Sequence, residues 1–271
     1  MRKVFALALI TYKEGIRNRS LFGIGLLALF LLGLNISVAG FFMRDIGKVT
    51  VDMNLTAMSL SGLLLIYFVG VNLMAKDIDR KTIHLVLSKP LSRSQYIFGK
   101  YFGIVIFVTV SLSLLIALSC LTVLLLSFLY PDYFFGFSWF NFGIACLYSL
   151  FKLWLIAAIV VFFSSLTTSS LITLIFSVGS YIAGSTIEEV IFYVKSELSM
   201  KEMIISDSLR NILDFISFII PNLSVFDFTL EAAHGLIITT DRILLVSGYG
   251  ISYIVILLLA ASLIFSRREF N

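Results

Sequence analysis

Charge is what this chain has least of. Only 13% of its 271 residues are Asp, Glu, Lys or Arg, while 59% are hydrophobic. A soluble domain carries roughly a quarter charged residues. Half that share leaves too little polar surface to cover a soluble globule of this size, and a mean hydropathy of +1.04 agrees. The chain therefore reads as an integral membrane protein. Cysteine is scarce: Cys120 and Cys146 both lie in apolar runs, which excludes a disulfide framework. The two histidines, His84 and His234, are far apart, so no metal-ligand cluster is visible. No array of Met or His supports copper handling. No G-x-x-x-x-G-K-[ST] phosphate loop occurs, so the chain is not itself a nucleotide-hydrolysing subunit. The net charge of +4 does not call for nucleic acid, because in a membrane protein the placement of charge is what matters.

Long apolar runs are plentiful. A hydrocarbon core about 30 Å thick needs about 20 helical residues. Six stretches meet that need, near Leu21–Phe42, Leu55–Ala75, Tyr101–Leu129, Phe140–Leu166, Ser170–Ile187 and Ile243–Phe265. Lipid offers no partner to free backbone groups, so all six are expected as helices. The expected fold is all-α and polytopic, a single transmembrane domain over residues 1–271. Six spans put both termini on one side. With the termini in the cytoplasm, inner segments hold 13 basic and 4 acidic residues, and outer segments hold 6 basic and 12 acidic ones. The positive-inside rule favours that orientation.

Residues 1–20 lack the long apolar core and small-residue cleavage site of a signal peptide. Read as a helix, Phe5, Leu9, Tyr12 and Ile16 share a face opposite Lys3, Lys13, Glu14 and Arg17. This predicts an interfacial helix on the inner leaflet. Leu7 and Ile10 intrude on its polar side. A short outer loop with Arg44, Asp45, Lys48 and Asp52 is expected between the first two spans.

Between spans two and three runs the longest charged segment, 76–100. Asp77 and Asp79 precede Arg80-Lys81-Thr82; an apolar stripe of Ile83, Val86 and Leu87 follows, then Ser88-Lys89-Pro90. Proline lacks a backbone donor and disfavours helix at the residue before it, so a short helix should stop near Ser88. Ser92 is placed to cap a new helix carrying Arg93, Gln95 and Tyr96 through Gly99-Lys100 into the third span. A short helix across the membrane surface, held between two long ones, suits contact with a soluble partner. It also reads as a merely solvated positive-inside loop.

The run D-x-D-x-K-T-I-x-x-V-L-S-K-P-L-S-R-S-Q-Y-I-F-G-K resembles the signature loop of type-2 ATP-binding-cassette (ABC-2) permeases. It is most similar to the subgroup containing the permease of the nitrous-oxide-reductase maturation system. The opening Tyr12-Lys13-Glu14-x-x-Arg17-x-Arg19 and the closing Arg267-Arg268-Glu269-Phe270 are also similar to that family's two ends. An acidic residue of the pattern is Asp77 or Asp79 here, and Lys81 stands where the family has Gly. The resemblance implies a permease subunit in the bacterial inner membrane, coupled to a separate ATPase that holds ATP and Mg. It implies two permease copies per transporter, movement of cargo by export, and no cofactor on this chain. The residues it assigns to ATPase coupling are Asp77, Asp79, Thr82, Ser88 and Pro90, then Arg93 and Lys100, with Glu14 and Arg17 in support.

Gly99-x-x-x-Gly103 offers close helix approach. Tyr130-Pro131-Asp132-Tyr133 reads as an outer turn, with Trp139 and Phe140 continuing an aromatic belt. Lys152 is the one basic residue well inside a span, where a charge is a functional-site hypothesis by default. It reads as lining a translocation path, or as snorkelling to the outer interface if its span begins near Cys146. Ser164–Ser170 is a tight inner turn, and Glu188-Glu189 marks the exit from lipid. In the outer segment 188–242, Leu209, Ile212, Leu213, Ile216 and Ile220 share a helical face, ending before Pro221-Asn222. The resemblance also implies short outer helices before the sixth span.

Enzyme readings fall short. Tyr193 stands where a Glu-Glu-x-x-x-Arg intramembrane protease needs Arg, and no histidine lies in any expected span to activate a serine. The alternative class is a motor-independent channel, or a structural or force-transmitting subunit of a membrane complex. Spans rich in Phe, Leu, Ile and Ser, with few fixed charges, lean towards lipid-like or amphiphilic cargo.

Overall fold

The computed structural model describes residues 2–39, 45–74, 91–195 and 220–268. Asp77, Asp79, Thr82, Ser88 and Pro90 lie outside the described residues, as do Leu209, Ile212, Leu213 and Ile216. The described residues form eight α-helices and no strand. They are α1 (Arg2–Ile16), α2 (Ser20–Ala39), α3 (Ile46–Met74), α4 (Arg93–Leu129), α5 (Trp139–Leu166), α6 (Ser170–Lys195), α7 (Thr229–His234) and α8 (Thr240–Arg267). Six of them, α2 to α6 and α8, are long and apolar enough to cross a membrane. The chain is thus an all-α, multi-pass membrane protein, as its apolar runs predict.

Two span boundaries differ from expectation. α3 begins at Ile46 rather than near Leu55. Its first turns carry Lys48 and Asp52 outwards while Thr50, Val51 and Asn54 are buried, so a hydropathy threshold misses a helix whose polar side faces water. α6 runs on to Lys195, past Glu188 and Glu189. Glu188 also has a tertiary role. Its carboxylate accepts hydrogen bonds from the Ser224 hydroxyl and, at 3.2 Å, from the Asn222 amide, tying α6 to the 220–228 segment.

α3 and α5 are the most buried spans and form the middle of the bundle, while α2, α6 and α8 turn large apolar faces outwards. Exposed Phe22, Leu26, Leu171, Leu244 and Leu245 are what a lipid-facing surface requires. Inside α3, Ile66–Gly70 is a single π-helical turn. It contains Tyr67, whose ring meets that of Tyr181 on α6 edge-on, with centroids 6.5 Å apart. Pro131 opens a short 3-10 turn, Pro131–Phe134, that caps the far end of α4.

α1 differs more instructively. The exposed side does include Phe5, Leu9 and Ile16, as an interfacial helix would show. The charged side, with Lys3, Lys13, Glu14 and Arg17, is exposed as well, and a third face is buried. Leu7, Ala8, Thr11 and Gly15 are buried against the first turns of α4. Leu7, an intruder on a polar face by sequence, is the centre of this seam. Gly99 faces Leu7, Gly103 faces Thr11, and Gly15 faces Phe107, so the two helices run parallel in four-residue steps. A Cβ on Gly99 would sit 2.7 Å from the Leu7 side chain, and one on Gly103 would sit 2.8 Å from the Ala8 carbonyl oxygen. The Gly99-x-x-x-Gly103 spacing is what lets the backbones approach. At 37 residues, α4 is about 55 Å long, more than the 40–45 Å of a whole bilayer. Its far end meets the Tyr130–Trp139 aromatic belt. The helix is thus longer than an upright crossing needs.

Gly103→Ala is expected to destabilise the protein by about 1–3 kcal/mol, because the clash is with backbone that cannot rotate away. Gly143→Ala, where a Cβ meets nothing within 4 Å, should be neutral or mildly stabilising. Thermal midpoints of both variants in one detergent would check this, and equal shifts would count against the seam.

Candidate functional site

The sequence expectations converge on the end of the bundle that carries both termini. α4 starts there with a complete capping box: the Ser92 hydroxyl accepts from the Gln95 N–H at 3.2 Å, and the Gln95 side chain accepts from the Ser92 N–H at 3.2 Å. This start is locked onto α8. Tyr96 stacks on Phe265 with centroids 5.3 Å apart, and the Ser94 and Ser262 hydroxyls are 2.9 Å apart.

Carbonyls of three helices meet a cation from another element at this end: those of the last turns of α8 and α5, and one in the last described turn of α3. The Arg93 guanidinium donates to the carbonyls of Phe265 at 3.3 Å, Ser266 at 2.9 Å and Arg268 at 2.5 Å, closing α8. Arg268 donates to the Ser165 carbonyl at 2.9 Å in the last turn of α5. Half-burial there pulls the Arg268 guanidinium below its ordinary value. Lys100 donates to the Leu73 carbonyl at 2.6 Å in the last described turn of α3. The last four carbonyls of a helix lack internal partners and carry its negative dipole end, so cations are the favoured caps.

Lys100 is only 3% exposed, unusual for lysine. Its ammonium is also 3.9 Å from the Glu14 carboxylate and 5.9 Å from the centre of the Tyr96 ring. It therefore ties α1, α3 and α4 together. Beside it opens a groove of about 820 Å³ lined by Lys13, Glu14, Arg17, Asn18, Arg19 and Leu73. Of the expected coupling residues, Arg93, Lys100, Glu14 and Arg17 are thus gathered at one end. Arg93 is turned to α8, whereas Glu14 and Arg17 line the groove.

Lys152 belongs to a second place. α5 starts at Trp139, not Cys146, with the Ser138 hydroxyl accepting from the Asn141 N–H, so Lys152 falls at the middle of the helix. Its ammonium lies 5.7 Å from the centre of the Tyr181 ring. No carboxylate among the described residues is within ion-pair distance. A cavity of about 280 Å³ rises from it between α3, α5 and α6 to Asp227. Asp227 sits between Phe226 and Phe228, both 1% exposed, so burying its neighbours on the aromatic core turns its carboxylate outwards. Phe226 meets Phe151 edge-on, and Phe228 lies 4.7 Å from the Tyr148 ring centre. Sequence reading missed Asp227, Glu231 and Arg242 at this place. The signal was the apolar-acid-apolar alternation 226–228, short enough to pass for an ordinary loop.

Removing a buried charged donor should be costly, since its acceptor is left unmatched. Lys100→Met is expected to lower stability by about 1.5–3 kcal/mol. Glu14→Gln, at an exposed partner, should cost about 0–1 kcal/mol. Detergent melts of both variants would check the order; a larger loss from Glu14→Gln would place the clamp elsewhere.

No curated protein matches the chain. A family model described as ABC-2 family transporter protein matches residues 6–270, nearly the whole chain, from within α1 to beyond α8. Length, helix count, the loop motif and this match agree: the chain belongs to the ABC-2 family of transporter proteins.

Proposed function

We propose that this chain is the permease subunit of an ATP-binding-cassette transporter, worked by a separate ATPase and moving its cargo outwards. The reading rests first on family membership across residues 6–270. The absence of a phosphate loop then assigns ATP and Mg to the partner. The terminal-bearing end faces the cytoplasm of a bacterial inner membrane, since the expected inner segments hold 13 of the basic residues. Two permease copies and two ATPases make the working unit.

Asp77, Asp79, Thr82, Ser88 and Pro90 form the part of the loop that the ATPase grips, with Glu14 and Arg17 lining the adjoining groove. One observation carries the mechanism. The loop leads into a helix start that is bonded to three others, through Lys100 to α1 and α3 and through Arg93 to α8. A push on the loop is therefore delivered to α1, α3, α4 and α8 together. Closure of the ATPases tilts this group and opens a path past Lys152.

Arg17→Glu reverses a charge in the groove without removing a side-chain bond among the described residues, and Asp79→Lys does so in the loop. Each is expected to cut the cognate ATPase recovered with the purified permease about tenfold or more, with membrane insertion unchanged. Unchanged recovery for both would favour the motor-independent channel or force-transmitting subunit instead.

A further inference from the structure

At the end away from the termini, two cavities run into one another. The wider holds about 650 Å³ between the start of α3, α7 and the first turn of α8. The narrower is the cavity of about 280 Å³ that leads down to Lys152 and Tyr181. Asp227 and Thr229 line both, so they form one cleft from the surface to the middle of α5.

The charges in the cleft are sorted. Near the mouth, Lys48 is paired with Asp45 at 3.1 Å, and Arg242 is paired with Glu231 while lying 4.5 Å from the Phe228 ring centre. These cations are occupied. Among the described residues Asp52 has no partner, and the Asp227 carboxylate accepts only from the Thr229 N–H, at 2.9 Å. Below them, Lys152 faces the hydroxyl side chains of Thr56, Ser59 and Ser149. A lysine at the centre of a membrane-spanning helix is costly without a counter-charge, so it favours an anion beside it. Asp227 attracts Lys152 across the cavity but does not reach ion-pair distance, which leaves the ammonium open to a bound anion. Leu60 also lines the inner compartment and is 43% exposed, an apolar side chain at the edge of the cavity. The compartment thus has an anion seat at its floor, a cation seat at its neck and an apolar opening at its flank.

We infer that this cleft binds a zwitterionic amphiphile, its anionic group on Lys152, its ammonium on Asp227 and its hydrocarbon leaving over Leu60. The inference deepens the assignment of Lys152 to the path and rests on it, but it does not depend on ATPase coupling. A neutral amphiphile leaves both seats empty, and a purely anionic one meets the carboxylates at the neck.

The permease purified in a neutral detergent, without ATPase or nucleotide, tests this by calorimetric titration. Three probes are used: dihexanoyl-phosphatidylethanolamine, dihexanoyl-phosphatidylglycerol, which lacks the amine, and free phosphoethanolamine, which lacks the tails. The ethanolamine lipid is expected to bind more tightly than the glycerol lipid. Lys152→Gln should weaken both about tenfold or more, Asp227→Asn only the ethanolamine lipid, and Lys152→Arg neither. Weaker binding of free phosphoethanolamine identifies a membrane source for the ligand. Equal binding moves the source to a soluble zwitterion and overturns the amphiphile. Equal affinity for the two lipids in the unmodified protein, or unchanged binding in Lys152→Gln, would overturn the inference outright. If Lys152→Gln does not fold, Ser149→Phe, which fills the inner compartment, is read instead and must abolish binding. Because nothing in the assay hydrolyses ATP, a negative result here bears on the cleft alone, and ATPase coupling stands or falls separately on recovery of the motor.

Discussion

Helix carbonyls left without partners inside their own helices set the design of this molecule. A bundle of spans brings the C-terminal ends of several helices to one face, each with unpaired acceptors and a negative dipole end. The sequence supplies no glycine cap after α8, where Arg268 and Glu269 follow directly. Cations from elsewhere close the gap: Arg93 on α8, Arg268 on α5 and Lys100 on α3. Hydrogen bonds of this charge-assisted kind are worth about 1.5–3 kcal/mol each. The residues that close the fold at this end are the same basic residues that set its expected orientation. Topology and tertiary structure draw on one set of charges.

The glycine seam and the overlong α4 follow from the same economy of contact. Lipid is as apolar as a leucine side chain, so helices in it associate through close packing rather than exclusion from water. Small residues at Gly15, Gly99 and Gly103 bring α1 into contact along the first turns of α4. Without α1 the Phe107 ring, fully buried against Gly15, would lose its cover. The close backbone contact braces the start of α4 against bending.

Much of the fold was legible because lipid punishes ambiguity. Six apolar runs must be six helices, and the Ser92 cap with its Gln95 reply was readable from four residues. The ends of α3 and α6 were misread where polar side chains ride on a helix, since hydropathy averages over faces that the structure keeps apart. Leu7 looked misplaced because a single-helix reading knows one environment, lipid, and not a neighbouring helix. Arg93 and Lys100 were legible as important and not as caps. Their acceptors are main-chain oxygens, which every residue has and no sequence pattern marks. Asp227 was hidden for a related reason: its position depends on where two flanking phenylalanines find their pockets.

The Arg93 bonds join residues 172 to 175 positions apart, and the Arg268 bond spans 103. Spans enter a bilayer in the order of synthesis. α4 and α5 thus take their places while the groups that will finish them are still unmade. Until α8 arrives, the guanidinium at the foot of α4 has no carbonyls of α8 to hold, and the last turn of α5 is left to interfacial water. Maturation of this protein is therefore a zipping of one face, completed by the final span, and a chain halted before α8 would be inserted but unfastened.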